Sequence, residues 1–159
     1  MSFLRNKKKR NYFSLVTYVL IFLIVFAGVK YFIQKQDFKN LYKITNTVTV
    51  GGTNYKVMVA ETLKDQKRGL MFVKKLQDRT GMLFIFKKEV DYPFWMKNTL
   101  IPLTVLFINS GKVVSQINME PCKTPKCEFY APFIYYKYAL EINKTNKNLI
   151  GDKVKIGGI

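Results

Sequence analysis

The sequence Gly81-Met82-Leu83-Phe84-Ile85-Phe86 is a continuous apolar run that ends at the charged pair Lys87-Lys88. A run this short, without polar residues at regular intervals, is typical of a strand that is buried on both faces. An amphipathic helix would need a longer segment with polar side chains along one side. We therefore predict a fully buried strand over residues 81–86.

Segments on either side of this run have the pattern of β-hairpins, in which two strand-like runs flank a short turn. In residues 47–60 the turn is Gly51-Gly52, and in residues 103–119 it is Ser110-Gly111. Two more short strands are expected at residues 138–142 and 152–156. Repeated short strands at close spacing predict a mainly β (β-rich α+β) fold, a compact antiparallel sandwich or barrel-like domain.

One short helix is expected within this domain, after the first hairpin. Thr62 and Asp65 have the spacing of a capping box, in which the first side chain caps the start of a helix. Lys67 and Arg68 then precede Gly69, as basic residues and glycine do at helix ends. These signals predict a helix of two turns.

The N-terminal segment has the pattern of a membrane anchor. Residues 12–29 carry no charge and follow a stretch that contains Arg5, Lys7, Lys8, Lys9 and Arg10. A helix over these residues is about 27 Å long at about 1.5 Å per residue, close to the roughly 30 Å of a hydrocarbon core. We predict a transmembrane anchor, or uncleaved signal, at residues 12–33. A cleaved signal peptide is the rival interpretation, since Val25-Phe26-Ala27 suits cleavage before Gly28.

The basic cluster predicts the orientation of a single-pass protein in the cell membrane, because positive residues remain on the cytoplasmic side. Residues 1–11 are then a cytoplasmic basic N-terminus, residues 34–46 a polar tether, and residues 47–159 an extracytoplasmic β-rich domain. In an exported domain the pair Cys122 and Cys127 predicts a structural disulfide. A redox-active pair is disfavoured, because the close spacing that activates a thiol is missing.

The net charge and the amino-acid usage exclude several functions. Of the formal net charge of +17, residues 1–44 supply nine basic and one acidic residue, and residues 45–159 supply eighteen and nine. No nucleic-acid recognition motif accompanies the basic residues, so nucleic acid is not predicted as a partner. The chain has no histidine, which excludes Ser-His-Asp and Cys-His catalysis within it and histidine-based zinc sites. We predict no metal and no cofactor.

The stretch from Phe94 to Leu103 contains the only tryptophan of the chain, a methionine and three consecutive polar residues. We predict a buried strand that runs into a structured loop, with a pocket rim at Trp95–Thr99. A Lys-Asn-Thr loop can bind a ligand or stabilise its own backbone turn, and both interpretations stay open. The residues predicted to bind a ligand are Arg68, Met82, Trp95, Met96, Lys97, Asn98, Thr99 and Glu141.

Glu141 is the one candidate for a catalytic role. It follows the apolar run Tyr138-Ala139-Leu140, so we expect it to be partly buried opposite a basic group such as Lys97 or Arg68. A carboxyl group whose pKa is raised in that position can act as a general acid or base. A satisfied ion pair is the more ordinary role of such a group, and we favour it.

Several short motifs occur in the order found in one known family. They are Arg68-Gly69-Leu70-Met71, residues 81–86, Trp95-Met96-Lys97-Asn98-Thr99 with Pro102-Leu103, Phe107-Ile108, Pro121-Cys122 with Cys127, Leu140-Glu141 and Gly151-Asp152. Over residues 57–156 the chain resembles domain-of-unknown-function family 192, a group of small, often exported proteins. The resemblance implies a β-rich sandwich or barrel-like domain with a short helix, and no established activity, cofactor or substrate. The family usually has an aspartate after Pro-Leu, where this chain has Thr104.

Three functions remain open on the sequence alone. We predict first a membrane-anchored extracytoplasmic module that binds a ligand or an envelope protein at Trp95–Thr99. The alternative is an envelope-located hydrolase that uses Glu141 with Lys97 and Asn98. A structural assembly factor is the third. The lack of an obvious catalytic set favours the binding module over an enzyme.

Overall fold

The computed structural model of the protein describes residues 15–31, 44, 46–124 and 126–157. The chain divides into two compact units, Met1–Asn40 and Leu41–Ile159. The predicted basic N-terminus lies outside the described residues, and so does the predicted tether apart from residues 44 and 46.

In the first unit, helix α1 covers residues 15–31, and its side chains are exposed throughout. Phe22 and Phe26 stack one turn apart with ring centroids 6.1 Å apart, and the Lys30 ammonium lies 5.4 Å from the Phe26 centroid. The predicted anchor also includes residues 12–14 and 32–33, which lie outside the described part. No helix formed by the described residues combines the length and the hydropathy that a membrane crossing requires.

The second unit confirms the predicted mainly β fold, with its predicted short strands and its single short helix. Within the described residues its elements are β1 (Asn46–Val50), β2 (Thr53–Ala60), α2 (Leu63–Arg68), β3 (Thr80–Val90), β4 (Phe94–Trp95), β5 (Leu103–Asn109), β6 (Lys112–Met119), β7 (Phe129–Tyr130), β8 (Tyr136–Asn143) and β9 (Val154–Gly157). The Thr62 hydroxyl accepts the backbone N–H of Asp65 and so caps α2, as predicted.

Both predicted hairpins are present, and their turns explain why these residues form them. Gly51 and Gly52 have φ of 53° and 84°, and Ser110 and Gly111 have φ of 49° and 70°. A two-residue turn with positive φ at both positions matches the right-handed twist of the flanking strands. The turns therefore set the register of β1 on β2 and of β5 on β6.

Seven strands form one sheet in the order β6-β5-β8-β3-β2-β1-β9, and β4 pairs with β7 in a separate two-stranded ribbon. The described strand pairs are antiparallel, as predicted, except that β2 and β3 are parallel, and there the prediction is wrong. The reason lies in their connection: residues 61–79, which include α2, return the chain from the end of β2 to the start of β3. Parallel neighbours need such a crossover.

The sheet curls into a half-barrel, in line with the barrel-like alternative. Strands β6 and β9 form the two edges of the sheet, and an isolated bridge between Lys112 and Lys153 joins these edges. The Val154 N–H donates to the Gly111 carbonyl at 2.8 Å, and the Gly151 N–H donates to the Val113 carbonyl at 2.8 Å. These bonds partly satisfy the two edges of the sheet.

Each face of the sheet carries its own hydrophobic cluster. The inner cluster draws buried residues from all seven strands, including Val48, Val57, Leu83, Leu106, Val113, Leu140 and Val154. The outer cluster contains Met82, Phe84, Val105, Phe107 and Ala139 from the sheet, together with Phe94 from β4 and Leu70, Leu76 and Met96 from connecting segments. Strand β3 contributes alternate residues to both clusters, which confirms that it is buried on both faces. The strand pairings and both clusters lie within residues 46–157, so a fragment of residues 41–159 contains the interactions that hold this unit together.

Gly81 allows β3 and β8 to approach each other closely. A Cβ at this position would lie 2.5 Å from the Glu141 carbonyl oxygen and 3.2 Å from side-chain atoms of Leu140 and Ile142. We expect Gly81→Ala to lower the free energy of unfolding of the fragment by about 1–3 kcal/mol, because the backbone of β8 has to shift. Urea denaturation followed by tryptophan fluorescence measures this change.

The matched control for this prediction is Gly157→Ala in β9. The nearest atom to a Cβ there is the Thr47 carbonyl oxygen at 3.5 Å, an ordinary contact. We expect this variant to stay within about 0.5 kcal/mol of the wild type. Equal stability of the two variants would contradict the close approach at Gly81.

Candidate functional site

The outer cluster is covered mainly by connecting segments. Residues 69–79 and residues 94–99 cover it from one side, since their residues Leu70, Leu76, Phe94 and Met96 belong to it. Helix α2 has no buried residue and leads directly into residues 69–79. Tyr130 of the β4–β7 ribbon also packs against the cluster. We call these segments the covering layer. The predicted site residues lie in this layer or directly beneath it.

Residues 94 and 95 alternate between the core and the surface. Phe94 is buried and makes edge-to-face contacts with Phe84 and Phe107, at centroid distances of 5.0 and 5.6 Å. Trp95 points outward and stacks on Phe129, its partner in the ribbon, at 6.2 Å. The Lys97 ammonium lies 5.2 Å from the Trp95 ring, a cation–π distance. The predicted strand is therefore present, but it is only two residues long.

Residues 96–99 form a tight turn. The Thr99 N–H donates to the Met96 carbonyl at 3.1 Å, and Asn98 has φ of 56°. Asparagine tolerates positive φ better than most residues, which is why it suits this turn. The Asn98 carbonyl accepts the Phe72 N–H at 2.8 Å, and its side-chain nitrogen lies 3.9 Å from the Met71 sulfur. The sequence left open whether this loop binds a ligand or stabilises its own backbone turn, and the contacts of Asn98 support the second interpretation.

Glu141 lies on β8 with its side chain in the outer face of the sheet. Its neighbours across the strands are Met82 and Val105, which both belong to the outer cluster. The residue is only 4% exposed, and its Oε2 atom has no hydrogen-bond partner among the described residues. Gly69 at the end of α2 lies above it: a Cβ on Gly69 would be 3.8 Å from Oε2. Glu141 is therefore buried more deeply than the sequence predicted.

Burial changes the protonation of this carboxyl group. Loss of hydration raises the pKa of Glu141 from 4.5 to about 8, because the charged form is penalised in an apolar environment. The side chain is therefore mainly neutral at pH 7. A neutral carboxyl group can donate one hydrogen bond and accept others.

Two adjoining depressions open in the covering layer. The larger, which we call the aromatic groove, has a volume of about 320 Å³ and is lined mainly by Leu63, Phe84, Phe86, Tyr92, Trp95 and Phe129. The smaller, which we call the Glu141 cleft, has a volume of about 20 Å³ and is lined by Lys67, Arg68, Gly69, Lys97, Thr99 and Glu141, among others. Gln66, Lys67, Phe84, Phe94 and Trp95 line both, so the two form one continuous concave site.

The structure brings together five of the eight predicted ligand-binding residues. Arg68, Trp95, Lys97, Thr99 and Glu141 line the Glu141 cleft. Met82 and Met96 are buried in the outer cluster beneath it, and Asn98 lies in the turn outside the lining.

The sequence did not predict the other residues that line this site, among them Lys67, Tyr92 and Phe129. In the sequence Lys67 indicates only the end of a helix. Tyr92 and Phe129 of the groove had no local signal, because the β4–β7 pairing that brings Phe129 to Trp95 joins distant parts of the chain.

Thr104 has a structural role in this chain. Its hydroxyl donates to Asn118 Oδ1 at 2.6 Å and accepts the Thr145 N–H at 2.9 Å. It is adjacent to Val105 on β5, and Val105 is the neighbour of Glu141, so Thr104 points to the opposite face of the sheet. The position at which the family usually has aspartate therefore lies away from the candidate site.

The predicted disulfide between Cys122 and Cys127 is confirmed, with a Cα–Cα distance of 5.5 Å. It closes a short loop just before β7, which carries Phe129. In the chain-entropy model a loop of this size contributes about 2 kcal/mol. Within the described residues there is no group of three or more His, Cys, Asp or Glu side chains placed to hold a metal ion.

Comparison with protein families identifies the domain. A family model described as domain-of-unknown-function family 192, "Uncharacterized ACR", matches residues 46–156. The chain belongs to this family. The predicted resemblance is confirmed, and the match extends it to the start of β1. A search of curated proteins finds no match.

Two solved structures are similar to this family member. A protein of unknown function from Novosphingobium aromaticivorans is 31% identical with a TM-score of 0.60, and the match covers 69% of this chain and 83% of that protein. A protein from Sinorhizobium meliloti, named as a candidate transcription regulator, is 26% identical with a TM-score of 0.61, and the match covers 72% of this chain and 95% of that protein. Nearly the whole of the second relative thus corresponds to the matched part.

The burial of Glu141 predicts a pH-dependent difference between the wild type and Glu141→Gln. The pKa in the folded state, about 8, exceeds the ordinary value of 4.5, so between these pH values the folded protein binds more protons than the unfolded chain. The free energy of unfolding contributed by Glu141 therefore falls as pH rises from about 4.5 to 8. Glu141→Gln removes this loss, and we expect it to be more stable than the wild type at pH 9 by a few kcal/mol, with little difference at pH 4.

Urea denaturation of fragment 41–159 between pH 4 and pH 9 measures this difference. The matched control is Glu128→Gln, which removes an exposed glutamate of the same size. A stability difference between Glu141→Gln and the wild type that does not grow with pH would contradict a neutral Glu141.

Proposed function

We propose that this protein is a membrane-anchored module whose extracytoplasmic domain binds a small ligand. The body of the ligand lies in the aromatic groove, and a polar group of the ligand enters the Glu141 cleft. The groove volume of about 320 Å³ is at the lower end of the range for small-molecule sites. The combination of an apolar lining with a few convergent polar groups is typical of such sites.

One observation carries the proposal: Glu141 Oε2 is buried and has no hydrogen-bond partner among the described residues. A buried polar atom without a partner costs about 1–3 kcal/mol. Folded proteins retain few such atoms, and many of those serve function. Because Glu141 lines a cleft that adjoins the groove, a group of a bound ligand can supply the missing hydrogen bond.

Three other features support the proposed membrane anchor and the extracytoplasmic location of the domain. Residues 12–29 are uncharged, and the apolar side chains of α1 are exposed, which favours a lipid environment for that helix. The basic residues before this segment favour a cytoplasmic N-terminus. The Cys122–Cys127 disulfide favours an oxidising compartment for the domain.

The hydrolase alternative would use Glu141 as a general acid, for which a pKa of about 8 is suitable. Two features of the described site favour binding instead. Asn98, proposed as an electrostatic stabiliser, does not line the cleft, and Glu141 is the one acid among its lining residues. A cleft of about 20 Å³ accommodates roughly one water-sized group, which leaves little room for a substrate and an attacking water together.

A small-molecule fragment screen by NMR tests the binding function. With ¹⁵N-labelled fragment 41–159, we expect a set of weak ligands that shift the Trp95 indole N–H and the amides of residues 66–69 and 94–97. Trp95→Ala is expected to weaken these ligands by about tenfold or more, since loss of an aromatic contact at the centre of a site costs over 1 kcal/mol. The domain should stay folded, because Trp95 is 38% exposed.

Tyr135→Ala is the matched control, because Tyr135 is an exposed aromatic residue that lines neither depression. We expect it to leave ligand binding unchanged. Ligands that bind elsewhere on the domain, or that bind Trp95→Ala as well as the wild type, would contradict the proposal. If no ligand binds and Trp95→Ala instead lowers the melting temperature strongly, the structural role of an assembly factor is favoured.

A further inference from the structure

The charges of the Glu141 cleft differ from the character of the groove beside it. Lys67, Arg68 and Lys97 all line the cleft, and Glu141 is the one acid among its described lining residues. Burial keeps that acid mainly neutral at pH 7. Lys67 and Lys97 therefore bring positive charge to the point where the cleft joins an apolar groove.

We infer that the ligand of this site is a small organic anion with a hydrocarbon chain, whose charged group lies in the mouth of the Glu141 cleft and whose chain lies in the aromatic groove. This inference rests on the proposed binding function and specifies its ligand. The anionic group contacts Lys67 and Lys97 at the rim and accepts a hydrogen bond from the Glu141 carboxyl group.

Charge complementarity selects an anion over a cation. A cationic group in the cleft would meet three like charges and would need an ionised Glu141, whose burial is costly. An anionic oxygen is attracted by the same three side chains, and hydrogen bonds to it from charged donors are stronger than neutral ones. The neutral Glu141 donates to that oxygen, so the bound anion provides the partner that Oε2 lacks.

The groove selects a hydrocarbon chain over a polar body such as a sugar. Its lining is mainly aromatic and aliphatic, and two of its polar groups are already used: Gln66 Nε2 donates to the Ile85 carbonyl at 2.7 Å, and the Tyr92 carbonyl accepts the Tyr136 hydroxyl at 2.7 Å. A polar body would lose most of its hydrogen bonds to water without replacement. The parallel rings of Trp95 and Phe129 form an apolar wall along which a chain can lie.

Four probes with matched parts test this inference on fragment 41–159 at pH 7. They are octanoate, octan-1-ol, octylammonium and acetate, which separate the charge from the chain. Trp95 is the only tryptophan in the chain and lines both depressions, so its fluorescence reports binding directly. We expect octanoate to bind at least about tenfold more tightly than octan-1-ol or octylammonium, because only octanoate brings a negative charge that pairs with the lysines of the cleft. Acetate should not bind at the same concentrations.

Single substitutions test whether the lysines of the cleft bind the anionic group, with octanoate affinity measured by calorimetry. Lys97→Ala is expected to weaken octanoate binding about tenfold. Lys74→Ala, which removes an exposed lysine outside both depressions, is the matched control and should change nothing.

The role of Glu141 predicts a dependence on pH. In the wild type, octanoate binding should weaken as pH rises from 7 to 9, because Glu141 loses its proton and repels the anion. Lys67, Arg68 and Lys97 are the charged groups that line the cleft with it. Glu141→Gln keeps a neutral donor in the cleft, so its octanoate affinity should stay constant over the same range.

The outcomes distinguish this inference from the proposed function. If octan-1-ol or octylammonium binds the groove as tightly as octanoate, the anion assignment is overturned and the binding module stands. The same conclusion follows if other small molecules bind the groove and octanoate does not. If no probe and no other small molecule binds the groove, both the inference and the proposed function fail.

Discussion

Strand β3 is apolar on both faces, and both faces have to be removed from water. Leu83 faces the inner cluster, and the curled sheet covers it with residues from its other strands. Met82 and Phe84 face the outer cluster, which the short β4–β7 ribbon and irregular segments cover. Burial of each large side chain there contributes about 1.5–3 kcal/mol. Because the covering layer is irregular, it leaves a groove and a cleft instead of a continuous interface.

Glu141 is the exception on that apolar face. The sheet fixes its position on β8 between Met82 and Val105, and the covering layer, with Gly69 above the carboxyl group, buries it. The fold therefore carries the cost of a desolvated carboxyl group for as long as the sheet and the covering layer are intact. The cations of the cleft come instead from the covering layer, Arg68 from α2 and Lys97 from the turn after β4. The site thus combines a rigid acid with basic groups on short connecting segments.

The sequence predicts those elements of the fold that depend on interactions between residues close together in the chain. The hairpins at Gly51-Gly52 and Ser110-Gly111, the cap at Thr62 and the buried strand at residues 81–86 each depend on neighbours in the chain, and each is present. The parallel pairing of β2 with β3 was missed, because a crossover has no short-range signal.

Non-local pairing also decides the candidate site. The expectation that Glu141 lies opposite Lys97 or Arg68 followed from the apolar run before it, whereas the cleft that these residues share with Trp95 depends on the sheet order. Phe129 reaches Trp95 only through the ribbon, which no local pattern predicts. Asn98 could be read as a ligand contact or a turn residue until its positive φ was known.

The most direct test of this account is the protonation of Glu141 in the folded domain. A ¹³C NMR titration of the side-chain carboxyl carbons of fragment 41–159, with the Glu141 signal assigned by its absence from Glu141→Gln, measures that pKa at the residue itself. We predict a pKa near 8, because burial removes the carboxyl group from water and so penalises its charged form. A pKa near the ordinary value of 4.5 would mean that the carboxylate is solvated or paired, and would contradict a neutral acid that faces the ligand.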